Sequence, residues 1–219
     1  MESFRYRLYG LCLSSGIALP ELAAEESSGA ADVEVSFGAL HHLHSGSHEP
    51  VSFEPCAEGH LLSVREVARF LIAGGRRIIV DPAPGASDRN VRLFLLGSAF
   101  GALLHQRGIL PIHANAIDFG SVAVAFGGHS GAGKSTIAAR FAAAGRPLLS
   151  DDVCAVTFEG DAPVVHQGVP RIRLWADALQ HLDRSAAGLE RAFDDVDKFN
   201  LPTGRRSRGG PLPLASIYC

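Results

Sequence analysis

The stretch SVAVAFGGHSGAGKSTIAARFAAAGRPLLSDDV, residues 121–153, passes from an apolar β-rich run through a glycine-rich loop into an alanine-rich helix. It ends on a second β-rich run that carries two adjacent acids. Gly128-x4-Gly133-Lys134-Ser135 has the spacing G-x-x-x-x-G-K-[ST], and the strand before and helix after supply the context that gives this spacing meaning. Glycines at these positions let the backbone curl until its N–H groups and the helix N-terminus converge on phosphate oxygens. The contact set is therefore Gly128, His129, Ser130, Gly131, Ala132, Gly133, Lys134, Ser135 and Thr136, with Lys134 neutralising β and γ phosphates and the Ser135 hydroxyl ligating Mg²⁺. Asp151 and Asp152 lie on the next apolar run, where a carboxylate reaches such a cation. One acid suffices for the metal, which leaves a second to accept a proton from an incoming hydroxyl. The plainer alternatives are a glycine-rich turn before an ordinary helix and two solvated turn acids.

Moving outward, ILPIHANAIDFGSVAVAFGG (109–128) reads as two strands joined by a hairpin at 118–121, with His113 on the first of them. His113 stands in an otherwise apolar run and is either a core histidine or part of the site. Residues 88–106 repeat apolar positions at helical spacing (Val91, Leu95, Ala99, Ala102, Leu103), with Gly108 as the stop. Arg77-Ile78-Ile79-Val80 reads as a short strand. Ser63 and Glu66 form a capping-box pattern, and Val64, Val67, Ala68 and Leu71 share one helical face before Gly74-Gly75, so a helix is expected from 63. The first 60 residues alternate short apolar pieces with Pro, Gly and Ser, as strands and turns do. The expected organisation is a small β-rich N-terminal lobe (1–60) and an α/β phosphate-loop domain (61–219). His41, His42, His44 and His48 lack accompanying Cys or carboxylates at ligand spacing and read as a solvated loop.

A formal charge of −3 and a pI near 6.3 provide no global field for nucleic acid or an anionic membrane, so any anion site is local. The four cysteines, Cys12, Cys56, Cys154 and Cys219, show no CxxC spacing and read as reduced thiols of a cytoplasmic protein. The segment after Arg5 and Arg7 faintly imitates a signal peptide, but Ser14, Ser15 and Gly16 break its apolar run.

His113, the hairpin near Gly120, GGHSGAGKS and LLSDDV together resemble the catalytic domain of HPr kinase/phosphorylase, specifically the HPr kinase-like serine kinases. YRLYGLCLSSGIALPEL and PLPLASIYC resemble the early and late strands of the shorter members. The resemblance implies a phosphoenolpyruvate carboxykinase-like fold, ATP and Mg²⁺ as cofactors, and phosphoryl transfer to a serine of a protein or peptide. By position it assigns phosphate and Mg²⁺ to Lys134 and Ser135, the metal to Asp151, base function to Asp152 and an active-site role to His113. It is compatible with a homo-oligomer.

The chain departs from the family in lacking a clear second glycine-arginine-rich signature, of which GRRSRGG (204–210) is a loose echo. Arg205, Arg206 and Arg208, with Lys198 nearby, either grip an acidic substrate or belong to a solvated loop. Some kinase-like relatives phosphorylate the C-terminal serine of a lasso-peptide precursor, and this short chain looks more like those. The rival readings are a nucleotide-dependent regulatory ATPase without an acceptor and a small-molecule kinase.

Overall fold

The computed structural model describes residues 3–26, 29–43, 46–194, 196–203 and 210–219. The mixed α/β chain divides into two compact units, Met1–Gly108 and Ile109–Cys219. Residue 60, where the sequence pattern places the end of a small lobe, falls inside a strand of the first unit, which extends some forty-eight residues further to Gly108.

In the first unit, β1 (Phe4–Leu8), β2 (Leu11–Ser15), β3 (Val33–Phe37), β4 (Val51–Cys56), β5 (Gly59–Val64), β6 (Ala68–Ala73) and β7 (Arg77–Pro82) form one sheet. Their order across it is β1-β2-β3-β7-β6-β5-β4. The helix expected from residue 63 is instead the β5–β6 hairpin, in which Ser63 pairs with Arg69 and Glu66 takes a left-handed φ of 63° in the turn. Five of the six residues of β6 are buried. A strand buried on both faces is apolar at nearly every position, so it also satisfies the i, i+3, i+4 test for a helical face. Gly74 and Gly75, at φ 58° and 62°, turn the β6–β7 hairpin rather than ending a helix.

The helical stretch expected over 88–106 is present as α1 (Asp88–Phe94), a π-helical turn (Leu95–Ala99) and α2 (Phe100–Gln106). Val91, Leu95, Ala99 and Leu103 are buried along it. Ser87 caps α1 by accepting the Asn90 N–H at 3.3 Å. Gln106 then fastens α2 to the sheet by accepting the Gly75 N–H at 2.8 Å and donating to the Ile72 carbonyl at 3.1 Å.

The second unit contains β8 (Leu110–Ile112), β9 (Asn115–Asp118), β10 (Ala123–Phe126), α3 (Lys134–Ala143), β11 (Leu148–Ser150), β12 (Cys154–Glu159) and β13 (Ala162–Val165). These are followed by β14 (Arg171–Trp175), α4 (Ala176–Gln180), β15 (Lys198–Pro202) and β16 (Leu212–Tyr218). The hairpin expected at 118–121 joins β9 to β10, and β10 runs directly into the glycine-rich loop. The sheet order is β11-β9-β10-β16-β13-β12-β8, with β16 parallel to β10, while β14 and β15 form a separate antiparallel pair.

Short links impose curvature on this sheet. β8 and β9 stand at opposite sides of the order yet are joined through 113–114 alone, and β11 and β12 are likewise joined through 151–153. Each pair is a bent continuation of one chain path, so the β-rich run expected to carry Asp151 and Asp152 divides into β11 and β12, with the two acids in the link between them. The sheet curls until its two ends meet at these links, which brings residues 113 and 152 together. Alternation then sends Ile117 and Leu148 to the face that packs on Ala138 and Ala139 of α3 and on Ile172 and Leu174 of β14. Ala116 and Leu149 point to the opposite cluster with Val156 and Val165. Among the described residues no helix is long and apolar enough to cross a membrane.

Candidate active site

The loop between β10 and α3 owes its shape to backbone freedom. Gly128, Gly131 and Gly133 have φ of 126°, 86° and 86°. A Cβ on Gly128 would also lie 3.2 Å from the Ala132 methyl. Gly133 occupies the N-cap position of α3 and contributes no side-chain cap, so the first N–H groups of the helix have no side-chain acceptor at that position. Lys134 is only 7% exposed, and its ammonium donates to the Gly128 carbonyl at 2.8 Å and the His129 carbonyl at 3.0 Å. The cation is thus folded back over the loop that an anion would occupy. His129 is exposed, its Nδ1 lying 2.8 Å from the neighbouring Ser130 carbonyl.

Ser135, one residue into the helix, places its Oγ 3.5 Å from Asp151 Oδ1. The other oxygen of that carboxylate accepts the backbone N–H of Arg173 at 2.9 Å. Burial pushes the Asp151 pKa up, against the pull of Arg173, Lys198 and Arg171. A buried carboxylate facing a helix-terminal hydroxyl is a donor pair that a hard divalent cation satisfies, with phosphate oxygens and water completing its shell. The residues present therefore fit Mg²⁺.

Asp152 is held quite differently. Its φ is 65°, its N–H points to Asn115 Oδ1 at 3.5 Å, and its carboxylate is ion-paired with the Arg173 guanidinium. Its carbonyl lies 3.0 Å from His113 Nδ1. Because a carbonyl only accepts, that nitrogen carries the proton. His113 has its pKa lowered, first by loss of solvent around the ring and then by Lys134, Lys198 and Arg173, so the imidazole is neutral and Nε2 keeps a lone pair. A folded-state pKa below the unfolded one means that the unfolded chain takes up this proton first as pH falls past the ordinary histidine value, and stability is lost in that window. In ¹⁵N-detected NMR, His113 is expected to show the Nδ1–H tautomer at pH 7 and a titration midpoint below 6.5, moving upward in Lys134→Met. An ordinary midpoint that ignores Lys134 would contradict this placement.

The cleft around these groups has a volume of about 690 Å³ and is bordered by His113, Lys134, Ser135, Asp152, Arg173 and Lys198. Ser130, Gly131, Gly133 and Thr136 of the loop also face it. Lys198, at the start of β15, stands 5.8 Å from the Trp175 ring, and burial, then Arg173, lowers its pKa. Of the basic residues suggested by sequence, Lys198 is thus at the site, whereas Arg205, Arg206 and Arg208 lie outside the described residues. Three neighbours were not foreseen: Arg173, Trp175 and the fully buried Asn115, whose Nδ2 has no partner among the described residues. The signal for Arg173 is present in RIRLW, where alternation puts Ile172 and Leu174 in the core and the arginines on the other face.

Compared with known proteins, the chain matches no family model and no curated protein. Among solved structures it is similar to the Hpr(Ser) kinase/phosphatase from Coxiella burnetii, at 16% identity, over 50% of this chain and 85% of that one, with a TM-score of 0.29. Overlap this slight identifies a neighbour and transfers no residue role to this chain.

Proposed function

We propose that the chain binds ATP with Mg²⁺ at the 127–136 loop and transfers the γ-phosphoryl group to a serine hydroxyl of a protein or peptide, of which the C-terminal serine of a lasso-peptide precursor is one candidate. The observation that carries this reading is the division of labour between two adjacent acids. Asp151 is turned toward Ser135, while Asp152 borders the cleft beside neutral His113.

Lys134 leaves the Gly128 and His129 carbonyls for the phosphates, and the uncapped N-terminus of α3 supplies N–H donors to them. Ser135 and Asp151 would hold Mg²⁺, whose charge offsets the phosphates and whose bonds orient them. The Asp152 carboxylate takes the proton of the acceptor hydroxyl as that oxygen bonds to the γ-phosphorus. The bond from γ-phosphorus to the β–γ bridging oxygen breaks, and its electron pair departs on ADP. His113 lines the cleft beside Asp152 and, through Nδ1–H, holds the Asp152 carbonyl in place, and Lys198 offers positive charge to the acceptor side of the cleft.

Incubation with γ-labelled ATP, Mg²⁺ and peptides ending in serine or alanine tests the reading. Label is expected on serine alone, located by mass spectrometry. Lys134-dependent phosphate release to water, with no labelled peptide or protein, would replace a kinase by a nucleotide-dependent regulatory ATPase.

A further inference from the structure

Arg173 touches both acids of the site in different ways. Its backbone N–H is committed to Asp151, whereas its guanidinium pairs with Asp152. The backbone has little freedom, because Arg173 pairs with Asn200 across the β14–β15 ladder while Ile172 and Leu174 on either side are buried. The backbone of Asp152 is similarly held, between Asn115 and His113. What remains adjustable is the contact between the two side chains. These are 18% and 13% exposed, so the pair lies largely outside bulk solvent and water weakens it little.

The same guanidinium borders the cleft with Lys134 and Ser135, and its charge is felt by His113 and Lys198. A guanidinium has five N–H donors in a planar fork, which matches phosphate as well as carboxylate, and a terminal phosphate carries more charge than Asp152 does. An arriving triphosphate therefore competes with Asp152 for Arg173. A diphosphate, lacking the terminal group, competes less.

We infer that Arg173 is a donor-sensing latch: it occupies Asp152 while no triphosphate is bound and swings onto the terminal phosphate when one arrives, uncovering the Asp152 carboxylate for the acceptor. The inference rests on the nucleotide site proposed above and adds regulation to it. An acid whose lone pairs are taken by a guanidinium is a poor proton acceptor, so donor binding precedes deprotonation of the acceptor. The latch also keeps two adjacent carboxylates from jointly repelling the incoming phosphates.

The test uses calorimetric titration of the full chain with Mg-ADP and with the β,γ-imido analogue of ATP, and reads the ratio of the two affinities. Arg173→Met is expected to lower the preference for the analogue roughly tenfold or more, with a much smaller effect on ADP. Asp152→Asn, which removes the competing carboxylate, is expected to raise that preference. The double variant should lose the gain. A misfolded protein does not bind more tightly, so the rise in Asp152→Asn is protected from trivial explanation. Equal weakening of both ligands by Arg173→Met, or a gain in Asp152→Asn that survives the loss of Arg173, would overturn the latch while leaving the nucleotide site intact. If ADP fails to bind the wild-type chain, or binds Lys134→Ala equally well, the nucleotide site itself is wrong and the latch falls with it.

Discussion

Replacing Lys134 by alanine is expected to weaken Mg-ATP binding by about a hundredfold or more and to abolish phosphoryl transfer. Two effects enter. Among the described residues the Lys134 ammonium is the cation folded over the loop, and hydrogen bonds from a charged donor to phosphate are each worth about 1.5–3 kcal/mol, so losing two of them costs two to four orders of magnitude. In the opposite sense and smaller, the Gly128 and His129 carbonyls, which Lys134 must leave when phosphate binds, no longer hold it in the free protein. Calorimetry with Mg-ATP, alongside labelled-phosphate release, gives both numbers. Circular dichroism checks that the fold survives. Undiminished affinity would remove the 127–136 loop as a phosphate site.

The next largest effect separates the paired acids. Asp152→Asn is expected to lower turnover by about 10²–10⁴-fold with Mg-ATP still bound, which is the contribution of a positioned general base. Asp151→Asn should instead weaken Mg-ATP binding and raise the Mg²⁺ concentration needed for half-maximal transfer, because the oxygen facing Ser135 becomes neutral or is exchanged for an amide donor. Transfer rates measured across a Mg²⁺ series for both variants distinguish the roles. Near-normal transfer by Asp152→Asn would exclude it as the base, and an identical Mg²⁺ profile for the two would erase the division proposed here.

The local chain path at the site was largely legible in the sequence. Strand, glycine loop, helix and hairpin occur in the expected order because each is governed by neighbours in sequence: glycine for positive φ, alanine for the helix, alternation for strands. What the sequence concealed was set by distant partners. Ser63 and Glu66 have the spacing of a capping box, but β5 and β6 find ladder partners in β4 and β7, and pairing decides the outcome. The apolar run 148–158 looks like one strand because nothing local shows that its halves join different ends of a curled sheet. Arg173 follows the same logic. Its proximity to Asp151 and Asp152 comes from the packing of β14 against α3, more than twenty residues along the chain.

The left-handed backbone at Asp152 determines how the acid can be probed. Aspartate, asparagine and glycine enter φ near 65° readily, while alanine or glutamate there costs roughly 1–2 kcal/mol before any chemistry is lost. An alanine scan at this position would therefore mix a displaced turn with a missing carboxylate, and a glutamate rescue could fail for conformational reasons alone. Asparagine keeps the turn and the side-chain shape while removing the charge and the carboxylate's basicity. The same bend narrows the substitutions open to a drifting sequence, so a descendant that has lost the base but kept the fold should carry asparagine or glycine at 152.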